Sequence, residues 1–396
     1  MGKDITRTVD VLCEDDDAEV FVLRAEVESR VAAGEFDWAG GLAVELAARV
    51  GAGADRTGHC GAVMYWALHA LAAHPEAGSL QALVRVLESP HHGGVERAAS
   101  PSHLAAVVAR SHRIEDIVGV VFGRAPEAAC VREFAACLLH ESVLVQGEVD
   151  GHPALRAFAG TLLAEGHPLA VLPLSLLPEE HGLRRPPGAA DDWTWTVPPV
   201  GPVGPVGPEA ADPHEPAVTP AARRRAAALD PAETGTPATA DAMGAAVEHW
   251  LAHSNGTVAA QEFWLPDPVA REDFPAVFEL LPLTPWPADG ARPKLQPSNA
   301  DLSLRILLTA AYRAPAYGRG RYGAYGRLAA WRSLGGLTGS PADAPVAEVA
   351  ELVRRTSWFR VGTSSPWFHD VAWDLAVAAL RPGGQEIAVL AATDTD

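Results

Sequence analysis

Between Leu302 and Ala342 the chain carries six arginines and no acidic residue. The arginines are Arg305, Arg313, Arg319, Arg321, Arg327 and Arg332. Four of the five tyrosines, Tyr312, Tyr317, Tyr322 and Tyr325, lie among them. Guanidinium forks grip phosphate or carboxylate through paired N–H donors, and aromatic faces accept cations. Glycines at 318, 320, 323 and 326 free the backbone so that its N–H groups can converge on an anion. Arg313, Arg319, Arg321, Tyr322, Tyr325, Arg327 and Arg332 are therefore the candidate ligand-binding residues, with a small anionic ligand or an acidic partner as the target. The competing reading is an exposed, flexible loop whose arginines pair with the acidic N-terminal domain.

A second polar cluster holds Ser364, Ser365, His369, Asp370 and Asp374. Such types can build a nucleophile and its base. No Gly-x-Ser-x-Gly turn frames these serines, however. Ser365-Pro366 reads as a turn opening a helix over 370–380, with His369 and Trp373 on one face. His369, Asp370 and Asp374 remain the alternative polar site.

Cys130, Glu133, Cys137, His140 and Glu141 can share one helix. Zinc sites draw ligands from separated segments, and His140-Glu141 lacks the second histidine of a zinc-protease helix. No metal is expected. No Gly-x-Gly-x-x-Gly joins a strand to a helix, and neither lysine, Lys3 or Lys294, follows a phosphate loop. No cofactor is expected either.

The formal charge is −19. Residues 1–183 hold 26 acids and 13 bases, so most of it sits in the first half. That field repels nucleic acid and anionic lipid, and it suits a basic protein partner. Four cysteines in 396 residues are too few for a disulfide framework. The N-terminus lacks the apolar core of a signal peptide, and the apolar run over 169–177 is broken by Pro173. A cytoplasmic protein without a membrane span is the expectation.

The elements that must position these residues fall into three stretches. Residues 1–183 read as a helical domain. Trp38, Leu42, Leu46, Val50 and Leu80, Leu83, Val84, Leu87 recur at helical spacing, with turn signals between. Helical hairpins of armadillo or HEAT type are expected, with a compact bundle as the alternative. Residues 184–241 hold 12 of the 33 prolines and read as a solvated linker. Residues 242–396 read as an α+β domain, giving a mixed fold class. Strands are predicted over 258–265, 277–283, 358–361 and 386–392. Helices are predicted over 242–253, from the Asn299 cap, over 325–334, 346–353 and 370–380.

The strings Trp367-Phe368-His369-Asp370-Val371-Ala372-Trp373-Asp374-Leu375 and Tyr322-Gly323-Ala324-Tyr325-Gly326-Arg327 resemble an uncharacterised actinobacterial protein family over the C-terminal third. The resemblance implies no substrate and no catalytic residue. A binding protein, of an acidic inhibitor or immunity type, is the leading expectation. The alternative is a hydrolase- or transferase-like enzyme in the C-terminal domain, acting on an anionic substrate. Convergence of Arg, His and Asp side chains in one pocket would favour the enzyme.

Overall fold

The computed structural model describes residues 2–14, 20–55, 57–124, 127–184, 218–287, 293–371 and 373–395. The chain forms two compact units, one of Met1–Leu176 with Arg184–Asp191, the other of Leu177–Leu183 with Asp192–Asp396. The fold is mixed α and β, as the sequence implies. Residues 185–217, the larger part of the predicted linker, lie outside the described residues.

The first unit is helical. It runs α1 (Gly2–Glu14), α2 (Val20–Ala32), α3 (Phe36–Gly51), α4 (His59–Ala73) and α5 (Ala77–Leu87). It continues through α6 (His92–Ala98), α7 (Pro101–Ser111), α8 (Ile114–Val121), α9 (Ala129–Gln146) and α10 (Pro153–Ala164). α9 is buried on every side from Phe134 to Val145. That accounts for its weak amphipathic signal, because a helix surrounded by neighbours needs no polar face. Ser100 starts α7 by accepting the His103 N–H, and Pro101 costs nothing in the first turn.

The second unit adds α11 (Pro220–Ala226), β1 (Ala232–Glu233), α12 (Pro237–Gly244), α13 (Glu248–His253), β2 (Thr257–Trp264) and α14 (Phe274–Phe278). There follow β3 (Leu295–Ser298), α15 (Ala300–Tyr312), α16 (Tyr322–Thr338), α17 (Val346–Arg355), β4 (Ser357–Val361), β5 (Trp373–Leu380) and β6 (Glu386–Asp394). The strands make one antiparallel sheet in the order β1-β2-β6-β5-β4-β3. One face carries Phe263, Phe359, Ala376, Ala378, Ile387 and Val389 into a core with Phe274, Phe278 and Trp286. The other face is covered by α12, α15 and α16. Gly336 permits that cover, since a Cβ there would lie 2.5 Å from the Met243 backbone nitrogen.

Three sequence expectations change. Where a helix is predicted over 370–380, β5 occupies Trp373–Leu380. The strand is buried on both faces, so its apolar run shows no alternation, and pairing with β6 outweighs the helix preference of its alanines. The following Arg381-Pro382-Gly383-Gly384 therefore turns a hairpin, with Gly383 and Gly384 at φ of 99° and 74°, rather than ending a helix. Residues 277–283 are not a strand: α14 places Phe274 and Phe278 one turn apart in the core, with Pro275 in its first turn. Finally, residues 218–241, read as linker, are folded, and Ala222 and Ala226 join the core.

Asn299 caps α15 as its type and position imply, accepting the Leu302 N–H at 2.8 Å. Asn299→Ala is expected to cost about 1 kcal/mol of stability, read as a lower urea midpoint with unchanged slope.

Candidate functional site

Trp373 pairs with Asp394 and Asp374 with Thr393 at one end of the β5–β6 ladder. Opposed residues share a sheet face and successive residues alternate, so this end presents polar groups on both faces.

On the helix-covered face the loop over 313–321 folds over the strand ends. The Ala316 N–H donates to Asp394 Oδ2 at 2.6 Å. Trp373 Nε1–H donates to the Ala314 carbonyl at 3.1 Å, and the Arg313 guanidinium lies 4.8 Å from that indole's centre. His249, on α13, is 3% exposed and donates Nε2–H to the Arg313 carbonyl at 3.2 Å. The Tyr317 N–H reaches Ser254 Oγ at 3.1 Å. Arg321 donates its backbone N–H to the Ala311 carbonyl at 3.0 Å and its Nη2 to Glu248 at 2.7 Å. Only glycine fits at 320, where a Cβ would fall 2.0 Å from the Tyr312 carbonyl oxygen. The loop is therefore built, pinned to α13, α15 and both strands.

Two buried polar atoms beneath this loop have no hydrogen-bond partner: Asp394 Oδ1, on a fully buried carboxylate, and His249 Nδ1. Each such atom costs roughly 1–3 kcal/mol, a cost that a bound donor removes. Among the described residues, the non-glycine positions with positive φ are Tyr322 at 56° and Asp370 at 55°, both flanking this end of the sheet. Such conformations cost on the order of 1–3 kcal/mol and concentrate at ligand sites.

The other face holds the second predicted cluster. Asp374 is 2% exposed, and its Oδ2 accepts the Asp370 N–H at 3.0 Å. Burial raises its pKa, opposed by the Thr393 hydroxyl and the Asp370 N–H. Thr393 Oγ1 accepts the His369 N–H at 3.2 Å. His369 and Asp370 themselves are exposed, and buried Ser365 bonds the Pro285 carbonyl through its hydroxyl. These bonds anchor the chain before β5, and among the described residues no hydroxyl of Ser364 or Ser365 hydrogen-bonds His369.

The predicted arginine–tyrosine residues divide. Arg313, Arg319, Arg321 and Tyr322 lie in or beside the loop. Tyr325 is half-buried one turn into α16, and Arg332 is exposed about 15 Å along that helix from Tyr322. Arg327 is spent internally. It is fully buried and grips Glu180 through Nε at 2.6 Å and Nη2 at 2.7 Å. His249, Trp373 and Asp394 were not among the predicted residues. No local pattern ties them to the arginines, because the topology makes the contact.

The cysteines of α9 are buried, and burial raises both thiols, Cys130 to about 12 and Cys137 well above its ordinary value. Neither is a thiolate near neutrality. Among the described residues, no group of three or more His, Cys, Asp or Glu could hold a metal ion. No helix there is long and apolar enough to cross a membrane.

Burial lowers the His249 pKa from 6.5 to about 4, despite the Arg313 carbonyl that favours its charged form. The folded state thus binds fewer protons than the unfolded state between those values. Stability is full above the unfolded value and falls with pH towards the folded one, by roughly 3 kcal/mol for this group. His249→Gln keeps a donor for the carbonyl. It is expected to flatten the fall in urea midpoint between neutral and acidic pH relative to the parent.

No curated protein and no solved structure matches the chain. A family match covers residues 22–396, reaching back into α2 and not the C-terminal third alone, and it shows no actinobacterial origin. The chain thus belongs to the family described as "Family of unknown function (DUF6183)".

Proposed function

We propose that this is a binding protein whose C-terminal unit takes a small anionic ligand beneath the 313–321 loop. The observation that supports this most is the pair of partnerless buried acceptors, Asp394 Oδ1 and His249 Nδ1, under a loop bearing Arg313 and Arg319, with the third loop arginine, Arg321, already paired with Glu248. The arginines suit a phosphate or carboxylate, and the acceptors suit hydroxyl or amino donors on the same molecule. A polyhydroxylated or amino-bearing anion meets both demands.

Arg, His and Asp do converge here, which gives the enzyme reading a foothold. Two facts favour binding. His249 hydrogen-bonds a backbone carbonyl rather than a hydroxyl, and a histidine of pKa about 4 is a weak base near neutrality. The acidic helical unit then suits a basic protein partner, and the buried free cysteines accord with a reducing cytoplasm.

The test is a thermal-shift screen of the full chain against sugar phosphates, hydroxy acids, amino acids and inorganic phosphate. A concentration-dependent rise with one class, weakened by added salt, is expected. Equal, negligible shifts for all four classes would contradict the proposal.

A further inference from the structure

We propose that Cys13 and Cys60 are a disulfide-forming pair that fastens α1 onto α4 when oxidised. Their sulfurs lie 2.6 Å apart across 47 residues of sequence, and both are free thiols here. Their backbones are already held together. The Thr57 hydroxyl donates to the Leu12 carbonyl at 3.1 Å, tying the last turn of α1 to the approach of α4. Asp55 accepts the Cys60 and Gly61 N–H groups at 3.3 and 2.9 Å, fixing the start of α4. Arg49 on α3 reaches Asp10 on α1 at 2.6 Å. Bridging two cysteines needs their helices held close together, and these bonds tie α1 to the start of α4 beside both residues. Cys130 and Cys137 differ: both sit on α9, and Cys137 donates to Glu133 at 3.5 Å.

The oxidant is a low-molecular-weight disulfide of the glutathione type. One cysteine thiolate attacks it, forming a mixed disulfide and releasing one small thiol. The second cysteine thiolate then displaces the other small thiol. Both cysteine protons leave, and the two electrons lost by the pair reduce the small disulfide to two thiols. Cys13 and Cys60 are buried, and burial pushes the Cys60 thiol up, so attack requires α1 to lift first. Oxidation therefore traps α1 after an opening, and reduction lets it lift again.

The experiment incubates the reduced full chain with oxidised glutathione, with and without low urea. Samples are quenched in acid, alkylated after denaturation and mapped by peptide mass. A single Cys13–Cys60 link is expected, with Cys130 and Cys137 alkylated and the rate rising with urea. The oxidised protein should melt about 10 °C higher in its first unit, a shift absent in Cys13→Ser. Full alkylation of Cys13 and Cys60 after oxidation in urea would overturn the proposal. So would separate glutathione adducts on the two residues, or a link to Cys130 or Cys137.

Discussion

Arg327→Ala is expected to destabilise the C-terminal unit by about 3–5 kcal/mol, the range for stripping one partner from a buried ion pair. Glu180 and Arg327 are both fully buried. The carboxylate accepts two guanidinium bonds, Trp331 Nε1–H at 2.7 Å and the Leu177 N–H at 2.8 Å. Removing Arg327 leaves a buried carboxylate with neutral donors only. Glu180→Ala should cost a similar amount by leaving the guanidinium unpaired. The double variant Glu180→Leu with Arg327→Met should recover part of the loss. It removes both charges but leaves Trp331 Nε1–H and the Leu177 N–H without an acceptor. Urea unfolding of the four proteins measures each loss and how much of it the uncharged pair recovers. Single variants within about 1 kcal/mol of the parent would show that the pair contributes little.

A larger loss is expected from β6. The strand pairs along its length with both β2 and β5, and Ile387, Leu390, Ala391 and Ala392 are fully buried. Deleting residues 386–396 opens two ladders and exposes both sheet faces at once. The cooperative transition of the second unit should disappear, along with the near-ultraviolet dichroism of its buried Trp250, Trp331 and Trp358. Leu390→Asp should approach the same result, because it buries an unpaired carboxylate. An unchanged melting profile in either variant would show that β6 is not central to the sheet's stability.

Local rules made several elements legible. Asn299 marked the start of α15, and the apolar run over 386–392 marked β6. The residues of α17 alternate at helical spacing, with Val346, Val349 and Val353 buried on one side. β5 was not legible, because a strand covered on both faces looks like a buried helix. Arg327 was misjudged for a different reason. The 41 acid-free residues around it gave no sign that its partner, Glu180, lies 147 positions earlier. The loop itself was visible in its arginines and glycines. The floor beneath it was not, since His249 and Asp394 reach it from opposite ends of the second unit's chain.

The most direct measurement is the affinity of the best compound from the screen for the parent, Arg313→Gln and Arg332→Gln, at two salt concentrations, with urea stability of each. Arg313 lies over Trp373 in the proposed site, whereas Arg332 is exposed well along α16 and serves as the control. Arg313→Gln should bind about 10–100-fold more weakly, as expected for a lost charge-assisted contact, and its dependence on salt should shrink. Arg332→Gln should bind as the parent does. Equal affinity for the parent and Arg313→Gln, in proteins of equal stability, would contradict a ligand site beneath the 313–321 loop.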